Sequence, residues 1–187
     1  MKPLHKMHLG RAIFLLALAA ASLISISPVN ASPFGQGVFG ADVPFGSMTS
    51  IAINLGGDVA LPLTPSGGNF SGTNSHVVTV TSTDVVGYYL YAHTTGSSNM
   101  TNGAATIPAS GNSSAAPLSV GTWGYNTSGS TTNFLGMSPT SVLLTDANGP
   151  YKNGNPTTIT YGALVNGTQA AGSYAVNVTY TAVAKNQ

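Results

Sequence analysis

The sequence predicts an all-β protein built as a single antiparallel β-sandwich of seven to nine short strands. Three observations carry this prediction. The stretch from Thr157 to Ala184 holds two β-rich arms, and in the second Tyr174, Val176, Val178, Tyr180, Ala182 and Ala184 fall on one face while Ala175, Asn177, Thr179, Thr181 and Val183 fall on the other. That period of two marks a half-buried strand, because successive side chains point to opposite faces. Similar short alternations recur upstream between Gly-, Ser- and Asn-rich turns, and no helical period occurs after Ser32. Many short strands punctuated by turn signals pack as two layers around one core.

The chain has 187 residues, and its start reads as a targeting segment. Lys2, Lys6 and Arg11 precede a mostly apolar run from Ala12 to Ser27, and Val29 and Ala31 stand at the small-residue positions of a cleavage site. This is a secretory signal peptide over residues 1–31, cut after Ala31. The apolar run falls short of the ~20 residues of a membrane span. A pilin-type leader cut after Gly10 would be followed by an acidic residue, and none follows here. No cysteine is present to carry a lipid or a disulfide.

Removing the leader reverses the charge balance. Lys152 and Lys185 remain against Asp42, Asp58, Asp84 and Asp146, and there is no Glu. The exported chain is slightly acidic, without the basic footprint of a nucleic-acid binder. Soluble monomers ordinarily keep apart through charged surfaces. Here Ser, Thr, Asn and Gly supply the polarity, and such a surface costs less to desolvate than an ionic one. It permits extensive protein–protein contact.

Taken in order, Ser32 to Gly46 is an apolar extension that repeats Pro33-Phe34-Gly35 as Pro44-Phe45-Gly46 and adds Val38, Phe39 and Val43. Its Pro and Gly oppose a regular central strand. It buries its aromatics along its own domain or adds a strand to a neighbouring subunit. The domain itself spans residues 47–187. Met48 to Leu55 alternates, Gly56-Gly57-Asp58 turns, and Val59, Leu61 and Leu63 alternate again beside Pro62. Thr64 to Asn74 reads as a loop. His76 to Thr81 and Val85 to His93 read as strands, the second carrying three Tyr. Thr94 to Pro117 is a long polar excursion with one apolar knot at Ala105-Thr106-Ile107. Trp123 to Tyr125, Phe134-Leu135 and Ser141 to Leu144 are apolar again, and Asp146 to Asn155 reads as a loop. The two final arms, joined through Asn166-Gly167 and Gly172, read as a hairpin or a near neighbour of one.

Four pieces in this order resemble a known group of proteins. They are Gly87-Tyr88-Tyr89-Leu90-Tyr91, Ala105-Thr106-Ile107-Pro108, Gly121-Thr122-Trp123-Gly124-Tyr125, and Thr157 to Gly162 together with Ala170 to Ala182. The set resembles the secreted β-sandwich surface repeats of ultrasmall candidate-phyla bacteria. Its ending is similar to the C-terminal hairpin of WxL-type surface domains, so the resemblance implies an immunoglobulin-like or WxL-like sandwich. It spans roughly Val77 to Ala184 and implies an extracellular structural domain, with no catalytic residues to carry over. The single Trp is followed by Gly124-Tyr125, so the WxL cell-wall motif is not evident, and no sorting motif follows the last strand.

Chemistry finds little support in the residues. His76 and His93 are the only imidazoles after the leader, and no Gly-x-Ser-x-Gly turn provides a nucleophile for either. The four Asp lie in or near separate turns, unlike the paired carboxyls of a glycosidase. Asp146, Asn148, Asn153 and Asn155 offer oxygens, but calcium wants six to eight and one carboxylate makes a weak site. No catalytic, cofactor or metal residue is assigned. Asn-x-Ser/Thr sequons at Asn69, Asn99, Asn112, Asn126, Asn166 and Asn177 reflect a chain rich in these residues. The expected role is therefore a non-enzymatic extracellular structural subunit of a pilus-like filament or layer. It self-assembles by donor-strand complementation through Phe34, Val38, Phe39, Val43 and Phe45, with other copies of itself as partner. The alternative is a monomeric secreted adhesin or carbohydrate-binding module that stacks host-cell or surface glycans on Trp123 and Tyr125.

Overall fold

The computed structural model describes residues 49–185. The signal peptide over residues 1–31 and the extension from Ser32 to Gly46 lie outside the described residues. Within them the protein is all-β, with twelve named strands and every ladder between them antiparallel.

The strands are β1 (Ser50–Leu55), β2 (Thr64–Ser66), β3 (Asn69–Thr83), β4 (Gly87–Thr94), β5 (Met100–Asn102), β6 (Ala105–Ile107), β7 (Ala116–Pro117), β8 (Thr122–Asn126), β9 (Asn133–Phe134), β10 (Val142–Asn148), β11 (Tyr151–Asn166) and β12 (Val178–Ala184). The larger sheet runs β1-β3-β11-β8, with β2 beside β3, and the smaller runs β10-β4-β12. The β5-β6 and β7-β9 pairs are small separate hairpin-like ladders. Val78, Val80, Ile159 and Tyr161 from the larger sheet meet Tyr88, Leu90 and Ala92 from the smaller in one core. Along β4 and β12 the burial alternates with period two, as the sequence pattern requires.

Three sequence readings are corrected. Thr64 to Asn74 is not a loop. Gly67 and Gly68 both take positive φ (56° and 82°) between the paired Ser66 and Asn69. A two-residue turn with both φ positive matches strand twist, so this polar stretch is a tight hairpin. Asp146 to Asn155 is also mostly strand: β10 runs to Asn148, Gly149 turns at φ 95°, and β11 begins at Tyr151. Its polar residues occupy exposed ladder positions, which a period-two apolar pattern does not mark.

The third correction matters most. The two C-terminal arms are not a hairpin. β11 pairs with β3 and β8, whereas β12 pairs with β4 in the other sheet. The connection between them is long enough to cross from one sheet to the other. Each arm then presents its apolar face to the other across the core instead of pairing side by side.

The outer face of the larger sheet is closed by Phe134. Gly162 on β11 pairs with Gly124 on β8, and the Phe134 ring lies over them. A Cβ on Gly162 would sit 2.4 Å from Phe134 Cζ. Gly162→Ala is therefore expected to displace the ring and cost about 1–3 kcal/mol in denaturant unfolding. Gly111→Ala, where a Cβ meets nothing within 4 Å, should leave stability nearly unchanged.

Candidate functional site

The site follows from an interruption at the edge of the larger sheet. The β1 ladder ends at Leu55↔Val78. Gly56 N–H still reaches the Val77 carbonyl at 2.9 Å, but Gly57 turns at φ 96° and Pro62 has no N–H to give. The chain stays near β3 through side-chain bonds, His76 Nδ1–H to the Gly57 carbonyl at 3.0 Å and Asn74 Nδ2–H to the Ala60 carbonyl at 2.7 Å, and regains a ladder only at Thr64↔Ser71. Val59, Leu61 and Leu63, which the sequence marks as a strand, keep their alternation without the ladder and stay half-buried against the core.

Across from this segment, residues 169–178 lead into β12. Ala175 exchanges two backbone bonds with Thr101 of β5, and the Asn177 carbonyl accepts from Thr95 N–H. Between the two walls lies a cleft of about 1320 Å³. Val59, Leu61 and Leu63 line one side, and Tyr174, Val176 and Val178 line the other. Small-molecule pockets span about 300–1,000 Å³. This cleft is larger than that.

β12 borders the cleft as far as Tyr180, and β1 packs close beside it. Asn177 and Lys185 both bond toward β4, through the Asn177 carbonyl to Thr95 and Lys185 N–H to the Gly87 carbonyl. Backbone groups alternate sides along a strand. The outward residues Thr179, Thr181 and Val183 therefore also bond to β4. The inward residues Val176, Val178, Tyr180, Ala182 and Ala184 direct their N–H and C=O groups to the other edge. Among the described residues that edge has no ladder partner.

A polar chain bridges the cleft at the level of Tyr180. His76 Nδ1–H donates to the Gly57 carbonyl at 3.0 Å, so Nε2 accepts from the Tyr180 hydroxyl at 2.8 Å. The Tyr161 hydroxyl then donates to the Tyr180 oxygen. Burial and the neighbouring Tyr161 push the Tyr180 phenol far above its ordinary value of 10.0. Burial likewise raises Tyr161, partly offset by its bond to Tyr180. The chain ties β3, the interrupted edge segment, β12 and β11 together at one point. The sequence showed His76 only as an imidazole at a strand end; nothing in its spacing marked Tyr161 and Tyr180 as partners, because they lie on different sheets.

The other expected sites resolve plainly. Phe34, Val38, Phe39, Val43 and Phe45 lie outside the described residues. Trp123 and Tyr125 are not a stacking platform: they are 0% and 5% exposed, and the Trp123 indole N–H donates to the Ser98 carbonyl at 2.9 Å. A ring sealed in the core offers no face to a sugar. His93 Nδ1 stands 3.4 Å from Ser141 Oγ at an exposed position. The oxygens of Asp146 and Asn148 serve Lys185, whose ammonium pairs with Asp146, donates to Asn148 Oδ1 at 2.8 Å and lies 4.7 Å from the Tyr89 ring centre. A cation already stands there. Asn126 is buried and holds the loop after β8, donating to the Ser130 and Asn133 carbonyls at 2.9 and 3.0 Å, so its sequon marks a structural residue. Among the described residues no three His, Cys, Asp or Glu gather as a metal site.

No protein-family model, curated protein or solved structure matches the chain.

Tyr180→Phe is expected to leave the Tyr161 hydroxyl and His76 Nε2 without their partner and to cost about 1–3 kcal/mol. The raised phenols also set an alkaline limit. Below about pH 10 both folded and unfolded chains keep their tyrosines protonated, and this contribution is constant. Above it the unfolded chain releases protons that the folded chain still holds, so stability falls as pH rises. Urea unfolding between pH 8 and pH 11, in roughly that range, should show the decline, and Tyr180→Phe should make it shallower.

Proposed function

We propose that the two sheets form an immunoglobulin-like or WxL-like β-sandwich and that the protein is a non-enzymatic extracellular structural subunit. After removal of residues 1–31 it assembles with copies of itself into a surface filament or layer. Ser32 to Gly46 of one copy fills the cleft of the next and adds a strand to the edge of β12 that borders the cleft.

The observation that carries this reading is the cleft and its border. An apolar groove opens into the core, and beside it β12 has, among the described residues, a ladder partner on one edge only. Unpaired edges are ordinarily shielded by charge, proline or cover. Here the inward residues that border the cleft are Val176, Val178 and Tyr180, and no charged side chain lies among them. An inserted strand would gain main-chain hydrogen bonds from the edge and apolar burial from the cleft. A head-to-tail contact of this kind does not close on itself and generates open polymers. The scarcity of charge supports it, since contact between copies then desolvates few ions. The resemblance to secreted surface repeats points the same way.

Size-exclusion chromatography and negative-stain microscopy test this on the exported chain. Large ordered assemblies are expected from the unaltered protein, and only monomers after deletion of Ser32 to Gly46. A chain that stays monomeric at high concentration, or a deletion that assembles as before, would overturn the proposal.

A further inference from the structure

The geometry points to a spontaneous covalent cross-link: Lys185 Nζ condenses with the side-chain amide of Asn148, assisted by Asp146, and ties the end of β12 to β10 through an isopeptide bond. The strand-complementation reading plays no part in this.

The site lies on the smaller sheet, where β12 runs out. The sheet order is β10-β4-β12, so β4 separates the two strands that the bond joins. Asn148 pairs with Gly87 on β4, and Lys185 N–H bonds to the Gly87 carbonyl from the opposite side. Gly87 therefore stands between them and carries no side chain. A Cβ there would come within 3.0 Å of Lys185 Cδ, so the lysine stem passes over this one residue to reach β10. Asp146 and Asn148 stand two residues apart on β10 and share its outer face, while Ala147 between them turns to the core.

Three reacting groups meet at the end of that stem. The Lys185 side chain is only 14% exposed. Its ammonium pairs with Asp146, donates to Asn148 Oδ1 at 2.8 Å and lies over the Tyr89 ring. A surface ion pair needs a carboxylate alone and contributes little to stability. Here the same nitrogen also rests against an amide carbonyl, so that nucleophile, base and acyl group are in contact. An adjacent base that takes its proton activates an amine as a nucleophile. Well-oriented groups within one molecule reach effective molarities of about 10⁵–10⁸ M, which brings an otherwise inert amide into exchange.

The step balances without a co-reactant. Asp146 accepts a proton from Nζ, and the freed lone pair attacks Asn148 Cγ to give a tetrahedral adduct. Asp146 passes the proton to Nδ2, and the Cγ–Nδ2 bond breaks. Nζ sheds a second proton, which leaves with the departing ammonia as ammonium. One C–N bond forms and one breaks, the total charge is unchanged, and nothing is oxidised or reduced. Asn148 is the acyl group because its amide is neutral, whereas the Asp146 carboxylate repels a nucleophile by its own charge.

A competing closure is held off. Asn148 precedes Gly149, and an Asn-Gly amide can form a succinimide when the glycine nitrogen attacks Cγ. That nitrogen is engaged, since Gly149 N–H donates to the Val86 carbonyl at 2.7 Å. The lysine bond would close a loop that contains all of β11 and would restrict the unfolded chain as a disulfide does. The chain has no cysteine to serve that purpose.

Intact-mass spectrometry and peptide mapping of the purified full chain test the proposal, with the mass counted from the N-terminus found in the same sample. The folded protein is expected to be lighter than its sequence by one ammonia, with a branched peptide joining Asn148 to Lys185. Lys185→Arg and Asn148→Ala should each restore the full mass, and Lys152→Arg should keep the loss. Asp146→Ala should abolish the loss or slow its appearance; loss at the unaltered rate overturns the part given to Asp146. If a variant fails to fold by circular dichroism, the branched peptide of the unaltered chain still decides. A folded, unaltered chain at full mass, even after incubation at mildly alkaline pH, overturns the cross-link. Loss of one water mapped to Asp146 overturns Asn148 as the acyl group. Loss of ammonia that persists in Lys185→Arg means a succinimide and overturns the lysine as nucleophile.

Discussion

The ladder between β11 and β3 is the interaction on which the rest of the structure depends. It runs from Asn166↔Asn69 to Asn155↔Val80 without a break, and continues past a bulge to Tyr151↔Ser82. With no disulfide and few ions, the fold has only strand pairing and apolar burial to offset the entropy of ordering the chain. This pair supplies the continuous backbone bonding, and it sets β8 on one flank and β1 on the other. Ile159, Tyr161, Ala163 and Val165 on β11 face the same core as Val78 and Val80 on β3.

A sheet with one apolar face must bury it, and here the partner is supplied by the last strand of the chain. β12 leaves β11, crosses the core and joins β4, so that the two arms oppose each other through Tyr161 and Tyr180. The crossing has a consequence at the edge. Among the described residues strand β12 has a ladder partner on one side only, and the segment facing it, from Gly56 to Leu63, has left its own ladder. Among the described residues both borders of the layered core lack a ladder beside the cleft, which leaves apolar side chains to line it. The His76–Tyr180–Tyr161 chain satisfies the polar side chains there and holds the borders at a fixed separation.

Much of this was legible in the amino-acid order, and the boundary of legibility has a physical cause. The period of two at Tyr174 to Ala184 and at Val78 to Val80 is a local property, since which face a side chain takes depends only on its neighbours in the strand. The all-β class and the inward residues followed from it, and the Gly56-Gly57-Asp58 turn was marked by its glycines. The stretches that were misread, Thr64 to Asn74 and Asp146 to Asn155, are strands whose residues mostly face solvent, with few such as Ala147 turned to the core, and so carry little apolar signal. What sequence could not decide was which strand each face would meet. β11 and β12 look like hairpin partners in order, yet they belong to different sheets, because burying two apolar faces against each other removes more surface from water than pairing them side by side. The burial of Trp123, the meeting of His76 with Tyr180, and the cleft itself all depend on that choice, and only the tertiary structure makes it.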